Sequence, residues 1–261
     1  MATMALQGKR ILVTGAGQGI GQGIARAIAE AGADVALVDL NPRGLEETSR
    51  LVQEVGRRAL SLVADVVDAE AVGRALERML AELGPVDGLV NNAGVIVMEP
   101  AKETTRDAWD HQFDVNVWGL MNCCQAAARQ MTAQGTHGAI VNVASNAGKV
   151  GYGNMAAYNA SKAAVINLTR TLSTEWSADG INVNAVCPGG VDTPMLKRAA
   201  EWVAERIGVD ADELYAGMKP KLMARHIQPI EVGRVVAFLL SSDARIICGQ
   251  SINVDGGDTP Y

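Results

Sequence analysis

What the sequence has little of sets the first limits. Only 4% of its 261 residues are aromatic, and it has three histidines (His111, His137, His226) and four cysteines (Cys123, Cys124, Cys187, Cys248). The histidines are scattered and no C-x-x-C pair occurs, so zinc-ligand spacing is excluded and no metal is expected. Cys123 and Cys124, adjacent in the chain, should point to different faces of a helix. The four thiols read as reduced and mostly buried, as in a cytoplasmic protein. No apolar run approaches the roughly 18 residues of a membrane span, and Met1–Val13 has no apolar core before Lys9 and Arg10. The expectation is a soluble, cytoplasmic chain with no membrane partner. Positive charge is also short, 23 Lys and Arg against 29 Asp and Glu, and the net charge of −6 argues against nucleic acid as a partner.

What is abundant points elsewhere. A hydrophobic fraction of 48% excludes a generally disordered chain, and this length buries a core without disulfides. With 28 glycines and few rings, the chain brings backbone, rather than aromatic side chains, close to something.

Short β-rich runs alternate with longer helical stretches. Strands are expected at Arg10–Thr14, Asp34–Val38, Arg58–Ala64, Gly88–Asn91, Ala139–Val143, Asn182–Cys187 and Ser251–Val254. Most are continuously apolar, as strands buried on both faces are. Helical patterns lie at Gly19–Ala31, Arg43–Val55, Ala69–Leu83, Thr105–Ala133, Ala156–Ser177 and Ile230–Leu240. In Ala69–Leu83 the residues Ala69, Val72, Leu76, Met79 and Leu83 recur every three or four positions, with Glu70, Arg74, Glu77 and Arg78 between them. The alternation predicts one α/β domain over 1–261, a doubly wound parallel sheet of about seven strands with helices on both faces. Pro194–Pro229 breaks the rhythm, with amphipathic pieces near Met195–Ile207 and Ala211–Met218. Such an insertion is either a substrate lid or a surface decoration.

The first strand runs into Thr14-Gly15-Ala16-Gly17-Gln18-Gly19-Ile20-Gly21 and then a helix. Glycines permit a tight turn and close backbone approach to a phosphate, and the helix N-terminus adds about half a positive charge. Gly23 reads as a helix-packing glycine. Asp39 ends the second strand eighteen residues beyond Gly21, where dinucleotide folds place the acid that accepts hydrogen bonds from the adenosine ribose. It would repel a 2′-phosphate. Leu40 follows where a phosphate site favours Arg. The cofactor expectation is NAD, with Arg43 keeping NADP open.

The spacing Thr14-Gly15-x-x-x-Gly19-x-Gly21 resembles the cofactor motif of short-chain dehydrogenases/reductases. The resemblance extends from about Gly8 to Gly257 through Asp65, Asn91-Asn92-Ala93-Gly94, Asn116, Ser145, Tyr158-x-x-x-Lys162 and Pro188-Gly189-x-x-x-Thr193. It implies strand order 3-2-1-4-5-6-7, a homotetramer, and dinucleotide contacts from Gly15, Gln18, Gly19, Ile20 and Gly21. Asp65 and Val66 are implied at the adenine, and Asn92, Ala93 and Gly94 at the sheet centre near the ribose. Pro188, Gly189, Val191 and Thr193 are implied at the nicotinamide. Tyr158 and Lys162 lie four apart, hence on one helix face. A phenol near pKa 10 is a poor base at neutral pH; lowering it by two to three, worth roughly 3–4 kcal/mol, brings it into range. The Lys162 ammonium and the nicotinamide charge are expected to do so. Ser145, thirteen residues before Tyr158, is placed to hold the substrate oxygen, and Asn116 by resemblance anchors a water linking Lys162 to solvent.

The expected pocket walls are Val95–Met98, Asn146–Asn154, Gly189–Gly190 and the 194–229 segment. Apolar Val95, Val97, Met98 and Met155 mix there with polar Asn146, Tyr152 and Asn154. This suits a small or medium hydroxylated molecule better than a steroid. Lys149 reads either as an anion binder or as a solvated loop lysine. The start Thr193-Pro194-Met195 resembles NAD-linked diol, acetoin and sugar-alcohol dehydrogenases, implying oxidation of a secondary alcohol to a ketone. Two alternatives stand beside it: a 3-oxoacyl thioester reductase, which Asp39 disfavours, and a non-catalytic dinucleotide sensor, which the full Ser145, Tyr158, Lys162 and Asn116 set disfavours.

Overall fold

The computed structural model describes residues 5–259 and 261; residues 1–4, part of the stretch read for a leader, lie outside the described residues. Seven strands form one parallel sheet: β1 (Arg10–Thr14), β2 (Asp34–Asp39), β3 (Ala59–Val63), β4 (Gly88–Asn91), β5 (Ala139–Val143), β6 (Asn182–Pro188) and β7 (Ser251–Val254). Their order is β3-β2-β1-β4-β5-β6-β7, as the resemblance implied. The strands are apolar throughout because both faces are covered. Ile11 and Val13 of β1 enter one core with Val35 and Leu37 of β2, while Leu12 enters the other with Ala36 and Val38.

The first core lies under α1 (Gly19–Glu30), α2 (Pro42–Glu54) and α9 (Pro229–Leu239). The second lies under α3 (Ala69–Glu82), α5 (Leu120–Ala133) and α6 (Ala156–Trp176). The α3 stripe is buried at Val72, Leu76 and Met79, and Asp68 caps the helix by accepting from the Glu70 and Ala71 N–H groups. Cys123 and Cys124 do not divide between core and solvent. Adjacent helical residues diverge by only about 100°, and the covered face of α5 is wide enough to bury both. Cys187 is also buried, while Cys248 is exposed.

Two departures from the expected elements bear on the site. The single helix expected over Thr105–Ala133 is instead α4 (Arg106–Phe113), a π-helical turn at Asp114–Gly119, and α5. Two constraints act on that turn. Asn116 is held by both backbone polar groups of Val95 and by Ser161, and Gly119 is pressed so closely on Val66 that a Cβ would come within 2.6 Å of its methyl. An extra residue in one turn meets both. Elsewhere, α1 and α9 meet backbone to backbone. A Cβ on Gly23 would strike Pro229, and one on Gly233 would lie 2.6 Å from the Gly23 carbonyl oxygen. Gly23 is the packing glycine it reads as.

The strand order reverses at β1, which has β2 on one side and β4 on the other. The crevice beyond the C-terminal ends of the strands at this switch point is where open α/β sheets bind ligands. The 194–229 segment, with α7 (Pro194–Ile207) and α8 (Ala211–Gly217), follows the C-terminal end of β6.

Candidate active site

The crevice is built from the glycine turn upward. Gly15 and Gly19 adopt φ of +61° and +56°, which side chains disfavour. Thr14 and Asn92 staple the turn to β4. The Thr14 hydroxyl accepts from the Asn92 and Ala93 N–H groups, both at 3.1 Å, and the Asn92 amide donates to the Thr14 and Gly15 carbonyls at 3.1 and 2.9 Å. A Cβ on Gly15 would lie 2.7 Å from the Ala93 Cα, so the turn and the Asn92–Gly94 segment are one unit. Asp68 caps α3 and Thr105 caps α4, but Gln18 at the head of α1 makes no side-chain cap. The first N–H groups of Gly19, Ile20 and Gly21 are therefore free of any side-chain acceptor, as a pyrophosphate requires.

Asp39 turns its carboxylate to this turn. One oxygen accepts from the Gly17 N–H and the other from the Asn41 N–H, each at 2.9 Å. Each oxygen keeps acceptor capacity for a ribose hydroxyl. Leu40 beside it is 64% exposed, and Arg43 is exposed. Asp65 is exposed and accepts from the Val67 N–H at 2.9 Å, while Val66 is buried with its carbonyl held by Asn122. The donor and acceptor set fits a dinucleotide.

Ser145 follows β5, and Tyr158 and Lys162 lie in the first two turns of α6. The lysine Nζ is 5.7 Å from the centroid of the phenol ring and donates to the Val143 carbonyl at 3.0 Å. Lys162 is only 5% exposed, and burial lowers its pKa to about 8. Burial likewise raises the Tyr158 phenol above its usual value, with Ser145 acting in the opposite sense. These directions belong to the protein without the nicotinamide charge, on which the expected phenolate also depends.

Asn116 is buried with its side chain fully engaged. Its oxygen accepts from the Val95 N–H at 2.8 Å, and its amide donates to the Val95 carbonyl and to Ser161, both at 3.0 Å. Gly94 sits between it and the lysine: a Cβ there would be 3.1 Å from Asn116 Oδ1 and 3.4 Å from Lys162 Nζ. Ser161, absent from the sequence reading, is signalled only by its place beside Lys162.

Across the crevice, Gly189 follows the last residue of β6, Pro188, and a Cβ there would come within 2.8 Å of the Asp255 Cβ. The Val191 N–H donates to the Gly189 carbonyl at 2.9 Å. The Thr193 hydroxyl donates to the Val191 carbonyl at 3.3 Å and accepts from the Leu196 N–H at 3.2 Å, capping α7. The groups expected at a carboxamide are thus engaged with one another. The Thr193 methyl faces Gly19, which joins this loop to the glycine turn.

The segment beyond Thr193 opens on an amphipathic helix, as expected, with Lys197, Arg198, Glu201, Glu205 and Arg206 exposed on one side. Its buried residues in α7 are Ala199, Ala200 and Ala204, while Trp202 and Val203 are half-buried and Ile207 is 60% exposed. The Arg206 guanidinium covers the Trp202 ring at 3.5 Å, so the indole lies along the helix surface. A cluster with no sequence signal holds the base of the segment. The Tyr215 hydroxyl donates to Asp192 at 2.6 Å, Lys197 lies 3.6 Å from the same carboxylate oxygen, and His226 stacks on Tyr215. The Tyr215 bond and Lys197 hold the Asp192 carboxyl below its usual pKa. Lys149, read either as an anion binder or as a solvated loop lysine, is half-buried and donates to the Ser251 carbonyl at 2.8 Å.

A parallel sheet with a switch-point glycine turn and a Ser–Tyr–Lys grouping defines a dinucleotide-dependent oxidoreductase. The sequence model of the family described as short chain dehydrogenase matches residues 9–204, and the chain belongs to that family. It is 37% identical to a sorbitol dehydrogenase of Cereibacter sphaeroides, over 98% of this chain and 99% of the relative. It is similar to an NAD+-bound xylitol dehydrogenase, with a TM-score of 0.89, 36% identity, and coverage of 97% of this chain and 99% of the other. It is also similar to an actinorhodin polyketide ketoreductase with NADPH, with a TM-score of 0.92, 34% identity and full coverage of both chains. The protein is an oxidoreductase acting on small-molecule alcohols with a nicotinamide dinucleotide. Among the described residues no helix is long and apolar enough to cross a membrane.

Proposed function

We propose that the chain, as one catalytic domain, oxidises a secondary alcohol of a polyol, sugar alcohol or vicinal diol to the ketone, with NAD as its cofactor. The grouping of Tyr158, Lys162 and Ser145 at the C-terminal edge of the sheet carries this reading. NAD, when bound, supplies the hydride acceptor and a positive charge beside the phenol. Ser145 holds the substrate oxygen and Tyr158 accepts its proton. Lys162 stabilises the phenolate, and Asn116 fixes the Gly94–Val95 backbone beside the lysine. The turn Gly15–Gly21 takes the pyrophosphate and Asp39 the ribose, with Leu40 beside it. Asp65 and Val66 flank the adenine, and Asn92–Gly94 line the sheet side. Pro188, Gly189, Val191 and Thr193 would hold the nicotinamide, with the Val191 N–H, now on the Gly189 carbonyl, and the Thr193 hydroxyl, now on the Val191 carbonyl, as the groups for its carboxamide.

Asp39 supports NAD over NADP. A 2′-phosphate brought within about 4 Å of a carboxylate costs roughly 1–4 kcal/mol per unit of phosphate charge between bulk and near-surface dielectric, and with nearly two such charges a preference of about tenfold or more. The likeness to an NADPH-bound ketoreductase keeps reduction of a thioester-bound ketone as the second reading. One assay separates them: kcat/KM with NAD and with NADP over polyols, diols, hydroxy acids and steroids. At least a tenfold NAD preference with polyol or diol turnover is expected. Equal use of both coenzymes, or turnover confined to 3-oxoacyl thioesters with NADPH, overturns the assignment. Tyr158→Phe should remove more than nine-tenths of turnover while NADH still binds.

The family resemblance, with Trp118, Phe238 and Ile246 exposed at 55%, 43% and 93%, supports a homotetramer. Four free cysteines suit the reducing cytoplasm.

A further inference from the structure

Ser145 is the first member of a hydrogen-bond chain that leads out of the reaction centre. Its Oγ accepts from the Ala147 N–H at 3.1 Å and donates to Asn146 Oδ1 at 3.3 Å. The Asn146 amide nitrogen donates in turn to the Tyr152 hydroxyl at 2.8 Å. Asn146 is buried at 6% exposure, with both ends of its amide engaged and its nitrogen turned to Tyr152. Because the Tyr152 oxygen accepts from Asn146, its own O–H is the remaining donor, and among the described residues it has no acceptor. Tyr152 is 41% exposed, and burial together with the charges of Asp258 and Asp255 raises its pKa. It therefore offers a proton and no negative charge at neutral pH.

We propose that Tyr152 is a specificity-determining residue that donates to a second, uncharged oxygen of the substrate, and that Asn146 is the positioning residue linking it to Ser145. This rests on the reading of the site as a polyol or diol dehydrogenase and narrows it. Ser145, turning its O–H from Asn146 Oδ1, takes the reacting oxygen, and Tyr152, one amide away, takes a hydroxyl or ether oxygen a few bonds along the same molecule. The charges of Asp255 and Asp258, which act on Tyr152, make a carboxylate the poorer occupant. A site that hydrogen-bonds a substrate hydroxyl discriminates against an analogue lacking it, since the bond and its direction are lost even where water reaches the donor.

The test compares kcat/KM for trans-1,2-cyclohexanediol and cyclohexanol, in wild type and in Tyr152→Phe, with NAD saturating. Wild type should favour the diol, and Tyr152→Phe should lower the diol-to-monoalcohol ratio at least tenfold. The variant keeps the ring, and a merely structural role would lower both substrates together and leave the ratio where it was. Asn146→Ala should lower the same ratio, since it frees Tyr152 to rotate. An unchanged ratio in Tyr152→Phe, with the wild type active on cyclohexanol, overturns the role of Tyr152 and leaves the dehydrogenase reading standing. A wild type idle on both alcohols and on polyols overturns that reading and the inference with it.

Discussion

At position 162 a lysine ammonium stands 5% exposed, with the Val143 carbonyl as its hydrogen-bond acceptor. Its pKa of about 8 lies below the ordinary 10.5 because burial disfavours the charged form. The unfolded chain therefore binds more protons than the folded one between about pH 8 and 10.5. Stability from this group is fully present above 10.5 and is lost as pH falls through about 8. At pH 7 the lysine consequently destabilises the fold, by an order of about 2–3 kcal/mol before its hydrogen bond is counted. Lys162→Met should raise the unfolding free energy by about 1–2 kcal/mol at pH 7 while abolishing turnover, and the gain should shrink from pH 8 towards 10. Denaturant unfolding across that range checks it; a variant less stable than wild type at pH 7 rejects the account. Tyr158 adds a second pH consequence. Its phenol is raised above 10 in the protein alone, so alcohol oxidation should increase with pH and depend on charge brought by the bound coenzyme. A rate falling from pH 7 to 9 is the contrary result.

Elements differ in how plainly the sequence announces them. The strands are legible because burial on both faces leaves uninterrupted apolar runs, and α3 because a single buried stripe leaves a three-four rhythm. The π turn was not legible. It arises from Asn116 reaching Val95 and Ser161, 21 and 45 residues away in sequence, and no local propensity encodes such contacts. The same applies to the Asp192–Tyr215 bond. The covered face of α7 follows the helix's own amphipathic pattern, and Ile207, on that face one turn beyond Ala204, is exposed because the helix ends there. The segment is therefore better tied at its base than its composition suggests. Tyr215→Phe should release α8 from the nicotinamide loop. Hydrogen exchange in 194–217 should then quicken several-fold and KM for the alcohol should rise, with little change in exchange over the sheet. Exchange in α7 and α8 indistinguishable from wild type would show that the bond contributes nothing to holding the segment.

On the scale of the whole molecule, the residues expected to carry the chemistry were readable because each has a fixed place in an ordered set of motifs. The sheet then brings Thr14, Asn92, Ser145 and Pro188 to one edge. What such motifs leave out is how the parts hold one another. Tyr152 is joined to Ser145 through Asn146, and Lys149 is spent on β7. Association is the other property of the whole. Light scattering at micromolar concentration should give four times the mass of one chain, and a monomer there rejects the tetramer.

The glycine contact between α1 and α9 has a consequence for how a fault would spread. α1 begins at the turn proposed for the pyrophosphate, and α9 begins at Pro229, where the 194–229 segment ends. With Gly233 set against the Gly23 carbonyl and the Ala27 methyl, and Gly23 against Pro229, the two helices leave no room for an added methyl at this seam. A single methyl at 233 has nowhere to go except to wedge them apart, displacing the anchorage of the flap and the head of the coenzyme helix together. Gly233→Ala, more than twenty residues in sequence from any group assigned to the reaction, should thus look like a binding mutant: weaker NADH affinity and a raised KM for the alcohol, in step. The seam works as a hinge pin shared by two doors, and bending it makes both of them drag.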